Sequence, residues 1–422
     1  MANVTLSQAE TMLRYCRFFI AALLLGAAPT LAAAPPVDRA TMKLHQRLLT
    51  LDTHLDTPAS FARPGWDFGA RHSLDSDFSQ VDLPRMATGG LDGGFFVIYT
   101  PQGPRTPAGL IAARDAAWFR AVQIRETIAR HPARAELAFT AADAPRIAAA
   151  GRAVVYQSME NAYPLTTDIS LLQSFHKLGL RMVGIAHFLN NDFGDSSTDP
   201  KGPEWNGLSP LGKTLISEAN RLGIIVDASH SSDAVLDQVL AQSKAPIILS
   251  HSGCKAIYDH PRNVDDARLL ALAAKGGVIQ INAYGGYLAP EVPNSERDAA
   301  LKALGQRYGN PSLLPPDKVA LLVKERRAIL DRYPGSERSF DQFLAHLLHA
   351  LKLVGPDHVG IGADWDGGGG VVGMQDVTGL PQITAALLKA GYTEADLQNI
   401  WGGNVLRLMA AVEAAAVKPS GT

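Results

Sequence analysis

Residues 49–56 read LTLDTHLD, a short apolar and β-branched run that ends on two side chains able to ligate a metal, His54 and Asp56. In an extended strand, residues i and i+2 project to the same side, so the His-x-Asp spacing brings both groups to one point. The pattern recurs. Candidate strands occupy 49–56, 93–99, 153–159, 182–186, 224–228, 246–250, 277–282 and 358–363, with longer amphipathic stretches between them. Strands alternating with helices indicate parallel β/α units, and eight of them predict an α/β fold of the (β/α)8 TIM-barrel type.

Two connecting helices are legible. Ser209 suits an N-cap, Pro210 the first helical position and Gly223 the residue past the end, while Leu211, Leu215, Ala219 and Leu222 give an apolar stripe. A second helix is expected over 339–353, where Phe340, Phe343, Leu347 and Leu351 recur at helical spacing. The charged, proline-rich segment 289–335 falls between the seventh and eighth strands and reads as a partly helical insertion. Residues 35–422 are thus expected to form a single barrel domain.

Potential ligands collect where the strands end. Besides His54 and Asp56, Glu160 follows the third strand, His187 the fourth, His230 the fifth, His251 the sixth and Asp364 the eighth. On a barrel these ends converge at one face. A carboxylate such as Glu160 can bridge two cations, and His230 and His251 supply imidazole nitrogens of the kind zinc favours. His54, Asp56, Glu160, His230 and His251 therefore make a ligand set for a binuclear centre with two Zn2+ ions. Two ions sharing a water lower its pKa and polarise a carbonyl at once, so a metal-bridging hydroxide is the expected nucleophile. His187 is then a candidate oxyanion stabiliser, Asp364 a proton shuttle and Arg262 a clamp for a substrate carboxylate. Any one histidine at a strand end is more often a packing residue, and only the joint pattern carries the reading. Asp52 and Asp227 are assigned structural roles by alternation, and Asp366 stays open. The glycine run 367–370 lacks the Lys and Ser/Thr of a phosphate loop and reads as a strand-to-helix turn.

The remaining features bound the cell biology. Phe18 to Ala34 is apolar, preceded by Arg14 and Arg17 and closed by Ala32, Ala33 and Ala34, the layout of a signal peptide over 1–34, with an uncleaved N-terminal anchor as the alternative. An exported, periplasmic or secreted protein is expected, without stable membrane insertion once the segment is cleaved. Cys16 lies in that segment, which leaves Cys254 alone and no internal disulfide. With 39 Lys plus Arg against 41 Asp plus Glu, no broad field favours nucleic acid or anionic lipid.

Motifs spread over the chain resemble, in order and spacing, the membrane dipeptidase (renal dipeptidase) family of the amidohydrolase-like TIM barrels. They are LDTHLDTP at 51–58, VDLPRM at 81–86, SMEN at 158–161, GIAHFLNN at 184–191, LGIIVDASHSSD at 222–233, ILSHSGCKAIYDHPRNVDD at 248–266, HVGIGADWDG at 358–367 and WGGNVLRL at 401–408. The resemblance implies one zinc on His54, Asp56 and Glu160, and a second on Glu160, His230 and His251. It implies that His187 meets the tetrahedral intermediate, Arg262 binds the carboxylate and Asp364 is the general acid/base. Dipeptide substrates, tolerance of a C-terminal D-residue, β-lactam opening by some members and a homodimer are further implications. Trp365, where Phe or Tyr is expected, and the long 289–335 segment depart from the pattern and touch specificity. The C-terminal VEAAAVKPSGT offers no hydrophobic tail for a glycolipid anchor. The same metal site would also serve lactones, β-lactams or N-acyl amino acids. A binding protein that keeps the barrel without the reaction is a third reading, which the intact His187, Arg262 and Asp364 argue against.

Overall fold

The computed structural model describes residues 37–335 and 337–417. The signal segment expected at 1–34 lies outside the described residues. Eight parallel strands follow one another around a sheet in chain order. They are β1 (Leu51–Leu55), β2 (Gly93–Ile98), β3 (Ala153–Met159), β4 (Leu180–Gly184), β5 (Ile225–Asp227), β6 (Ile248–Cys254), β7 (Val278–Ile281) and β8 (Val359–Ile361). The ring closes where Leu55 bridges Trp365 in the parallel sense and the Asp56 N–H donates to the Trp365 carbonyl at 2.8 Å. Across the same seam the Ala363 N–H donates to the Asp52 carboxylate at 3.0 Å. This is the (β/α)8 barrel that the eight apolar runs predict. Two short strands, Ala135–Leu137 and Asn263–Val264, pair with β3 and β6 outside the ring.

The strands that depart most from the hydrophobic pattern are β4 and β6. β4 begins and ends two residues earlier than the run 182–186, so Ile185 and Ala186 are buried beyond the ladder and His187 follows a short turn. β6 continues to Cys254, so His251 lies inside the strand instead of after it. Apolar runs report burial, whereas the strand is defined by its ladder, and the two need not end together.

Strand alternation divides the core in two. Phe95 and Phe96, Val154 and Val155, Met182 and Val183, Ile225 and Val226, Ile248 and Leu249, and Val278 and Ile279 are all buried, yet the two members of each pair belong to different clusters. One set, with Leu51, packs against Val405, Leu408, Met409 and Val412 of the helix Asn404–Ala415. The other set meets the surrounding helices. Full burial of each such side chain stabilises by about 1.5–3 kcal/mol.

The helix Pro210–Leu222 has the expected caps, with Ser209 Oγ accepting from the Gly212 N–H at 3.0 Å and Gly223 left-handed at φ 74°. Phe340–Val354 starts on a capping box between Ser339 and Gln342. Between β7 and β8 the segment 289–335 carries two helices, Ser295–Tyr308 and Pro316–Arg332, joined by a 2.9 Å bond from Tyr308 Oη to Glu325. No helix among the described residues is long and apolar enough to cross a membrane.

Candidate active site

The seven residues selected from strand ends meet at the C-terminal face of the barrel, all buried. Glu160, one residue past β3, is the hub. Its Oε1 lies 3.2 Å from His230 Nε2, 3.4 Å from His251 Nε2, 3.4 Å from His187 Nε2 and 3.6 Å from His54 Nε2. His54 Nε2 is in turn 3.3 Å from Asp56 Oδ2 and 4.0 Å from Asp364 Oδ1. Three overlapping groups are compact enough to hold a cation: His54, Glu160 and His251; Glu160, His187 and His230; and His54, Asp56 and Asp364.

By distance alone His187 stands as near to Glu160 as His251 does. Anchoring separates them. Ser250 Oγ donates to Asp227 Oδ2 at 2.6 Å and lies 2.8 Å from His251 Nδ1. That arrangement keeps the imidazole proton on Nδ1 and turns the Nε2 lone pair toward the site. Asp227 therefore has the structural role that alternation gives it, and so has Asp52, which accepts from the His54 N–H at 2.9 Å.

The backbone is strained here. Among the described residues six non-glycines are left-handed, and three of them, His230, Asp364 and Asp366, with φ near 64°, belong to this face. Each such conformation costs on the order of 1 kcal/mol and persists only where the surroundings impose it. The glycine run is more than a turn. A Cβ on Gly367 would collide with the carboxylates of Asp56 and Asp364, so only glycine lets the chain pass this close.

Burial, joined by the neighbouring carboxylates, pushes the Glu160 and Asp364 carboxyls well above their ordinary range. Burial opposes charge on His54, but Glu160 and Asp56 outweigh it and lift the imidazole to about 10. His187 falls to about 3 through burial and the charge of Arg262, and burial holds His230 and His251 well below 6.5. His54 Nε2 has no hydrogen-bond partner, and the Nε2 atoms of His230 and His251 face each other at 2.9 Å. Three clustered carboxylates with inward-turned imidazole nitrogens are the donors a divalent cation takes. The residues present fit a metal.

Arg262 is buried against β6, donating from Nη1 to Ser252 Oγ at 2.9 Å and from Nη2 to the His251 carbonyl at 2.6 Å, with Nε left unpartnered. Its guanidinium carbon lies 5.4 Å from the centre of the Tyr287 ring. Above the cluster is a cavity of about 240 Å3 whose walls include Tyr99, Phe188, Tyr284 and Tyr287. These aromatics were not singled out by the sequence. Tyr99 sits one residue past β2, where the strand-end rule points, but Tyr284 and Tyr287 come from the turn and short helix after β7, where no spacing marks them. Asp366 also lines this cavity, accepting from Thr57 Oγ1 at 2.7 Å and from the Gln80 N–H at 2.6 Å.

The sequence profile of the membrane dipeptidases (peptidase family M19) matches residues 38–420. Dipeptidase tcpJ of Claviceps purpurea (strain 20.1) is 30% identical over 348 residues, spanning 81% of this chain and 71% of the relative. The crystal structure of the probable dipeptidase PvdM from Pseudomonas aeruginosa shares 32% identity and a TM-score of 0.75, covering 89% of this chain and 98% of that one. A metallopeptidase from Rhodobacter sphaeroides, solved with a phosphinate mimic of the dipeptide L-Ala-D-Ala, is 26% identical with a TM-score of 0.67 over 86% of this chain and 99% of its own. A buried cluster built for a metal at the barrel's functional face and a family match over nearly the whole described chain lead to one assignment: this chain belongs to the membrane dipeptidase family, the M19 metallopeptidases, and is a metal-dependent hydrolase of peptide bonds.

Proposed function

We propose that this chain is a zinc dipeptidase that holds two Zn2+ ions on His54, Asp56, Glu160, His230 and His251 and accepts dipeptides with a C-terminal D- as well as L-residue. The observation that carries this reading is the hub geometry, four imidazole nitrogens within 3.6 Å of one Glu160 oxygen. Zinc held by these five residues would supply a water acidic enough to act as the nucleophile and would polarise the scissile carbonyl. The chain's own groups do the rest. Asp364 takes the proton released by the attacking water on a carboxylate oxygen and passes it to the leaving amine. His187, neutral because burial depresses its pKa, donates a hydrogen bond to the oxygen that gains charge. Arg262, with Nε free and its charge set behind Tyr287, attracts the substrate carboxylate. The small cavity suits a dipeptide, and the phosphinate dipeptide mimic in the Rhodobacter sphaeroides relative supports that size class. We further propose that residues 1–34 direct export, which N-terminal sequencing of the protein from its native cells tests.

The test is hydrolysis of L-Ala-L-Ala, L-Ala-D-Ala and the C-terminal amide of L-Ala-L-Ala by protein as purified, stripped of metal and reloaded. About two zinc ions per chain, cleavage restored by zinc, and an amide slower by about a hundredfold are expected. A reloaded protein that opens a lactone or β-lactam but leaves all dipeptides intact would refute the dipeptidase reading.

A further inference from the structure

A second cavity, of about 810 Å3, lies under the helices Ser295–Tyr308 and Pro316–Arg332. It adjoins the catalytic one. Ala59 and Asp366 line both; Tyr284 and Gly367 line the smaller, and their chain neighbours Gly285 and Gly368 line the larger. The junction therefore lies beside Asp56 and Asp364, on the β1 and β8 side, whereas Arg262 is fastened to β6. A dipeptide whose carboxylate points toward Arg262 places its amino-terminal residue at the junction.

The lining of this cavity is apolar along its length and cationic at intervals. Phe78, Leu301, Leu304 and Leu322 supply the apolar wall. Arg63, Arg326 and Arg338 supply three positive charges, against the carboxylates of Glu337 and Asp366 in the lining and of Asp77, 3.9 Å from Arg63 Nη1. The Asp366 carboxylate already accepts two hydrogen bonds. Arg63 is buried, with Nη1 on the Asp77 carbonyl, Nη2 on Ser60 Oγ and Nε without a partner. Arg326 lies over the Phe78 ring, its guanidinium carbon 5.8 Å from the centroid. Arg326 has no carboxylate in ion-pair contact among the described residues, and an apolar channel that presents such a guanidinium recognises an extended group with a hydrocarbon stem and an anionic end.

We propose that this cavity receives the side chain of the substrate's amino-terminal residue, and that the chain prefers dipeptides in which that side chain is a long arm ending in a carboxylate or another anion. The proposal rests on the dipeptidase reading and adds the substrate class to it. The segment 289–335, whose two helices cover this cavity, then acts as the specificity element.

The probes are three dipeptides with a free amino terminus: Ala-Ala, Nε-butyryl-Lys-Ala and Nε-succinyl-Lys-Ala. Two variants report on the cavity. A Cβ on Gly305 meets nothing within 4 Å, so Gly305→Trp adds bulk to the space without a backbone clash. Arg326→Gln removes one charge. For the zinc-loaded wild type, kcat/KM should be about tenfold higher for the succinyl than for the butyryl substrate. Arg326→Gln should erase most of that ratio, and Gly305→Trp should lower both long substrates about tenfold relative to Ala-Ala in the same preparation. Because each readout is a ratio within one preparation, a partly unfolded variant does not mimic the result. Ala-Ala cleavage with ratios that neither variant moves would overturn the cavity proposal alone. No cleavage of any of the three by zinc-loaded wild type would overturn the dipeptidase reading and the proposal with it.

Discussion

Two buried histidines, one at each end of the barrel, respond to burial in opposite ways. His45, in the helix that precedes β1, is driven down to about 4 because burial penalises its charge and no carboxylate offsets it. His54, at the functional face, is driven up to about 10 because three carboxylates outweigh the same penalty. The N-terminal end is finished as a core, with Leu51, Phe95 and Ile248 packed against Leu408 and Met409. The C-terminal end collects Asp56, Glu160 and Asp364, together with left-handed His230 and Asp364. One end spends its burial on stability and the other on holding like charges together, an arrangement that a bound cation makes favourable.

The largest effect that separates the ends is expected from Glu160→Gln. It removes the hub charge while preserving shape, so activity should fall about a thousandfold or more, and zinc content should fall with it. Stability of the metal-free protein should be unchanged or higher, since a buried carboxylate is lost. Urea unfolding of the metal-free variant that shows a loss of more than about 2 kcal/mol would make Glu160 a structural residue instead. Leu408→Ala is the converse at the other end. Leu408 is fully buried in the N-terminal cluster, so the variant should lose about 3 kcal/mol of stability. Its kcat/KM per folded molecule should match wild type, and a selective fall in turnover would mean that the two ends are coupled.

The relay behind His251 tests a smaller effect. Ser250→Ala removes the hydroxyl between Asp227 and His251 without touching a ligand atom, and should weaken zinc affinity about 10- to 100-fold in a chelator competition. Unchanged affinity would show that strand packing alone orients the imidazole.

How much of this was legible in the sequence follows from where each signal resides. The eight strands and the convergence of the seven strand-end candidates could be read because apolar runs mark strands and a barrel delivers strand ends to one face, whatever the loops do. His54 and Asp56 were marked by spacing within a single strand. The Ser250 relay was not visible, because it joins β5 to β6 through a register that only pairing fixes: Asp227 pairs with Ile248, which brings Ser250 within reach of its carboxylate. The need for Gly367 was hidden for the same reason, since the carboxylates it makes room for come from β1 and from the loop after β8. Tyr284 and Tyr287 owe their place in the pocket to a short helix, Gly285–Leu288, that carries no periodicity long enough to read.

The smallest effect concerns His45 and pH. Its Nε2 lies 2.9 Å from the Gly89 carbonyl, which can only accept, so the proton sits on Nε2 and Nδ1 accepts from Thr384 Oγ1 at 2.8 Å. Thr384 Oγ1 accepts in turn from Trp401 Nε1 at 2.9 Å, which fixes the whole relay in the neutral form. Protonating Nδ1 would break it. The folded pKa, about 4, lies below the ordinary 6.5, so the unfolded chain binds a proton first as pH falls. The contribution of His45 is therefore complete above about pH 6.5 and is lost progressively between 6.5 and 4, by about 1–2 kcal/mol between pH 7 and pH 5. Urea midpoints of zinc-loaded wild type and His45→Gln, compared at both pH values, isolate this term because the titrating groups of the metal face are common to both. The difference in stability between the two proteins should shrink toward pH 5. A difference that stays constant would mean that His45 takes up its proton alike in the folded and unfolded chain, and one that grows toward pH 5 would mean that the N-terminal end, like the metal face, stores charge.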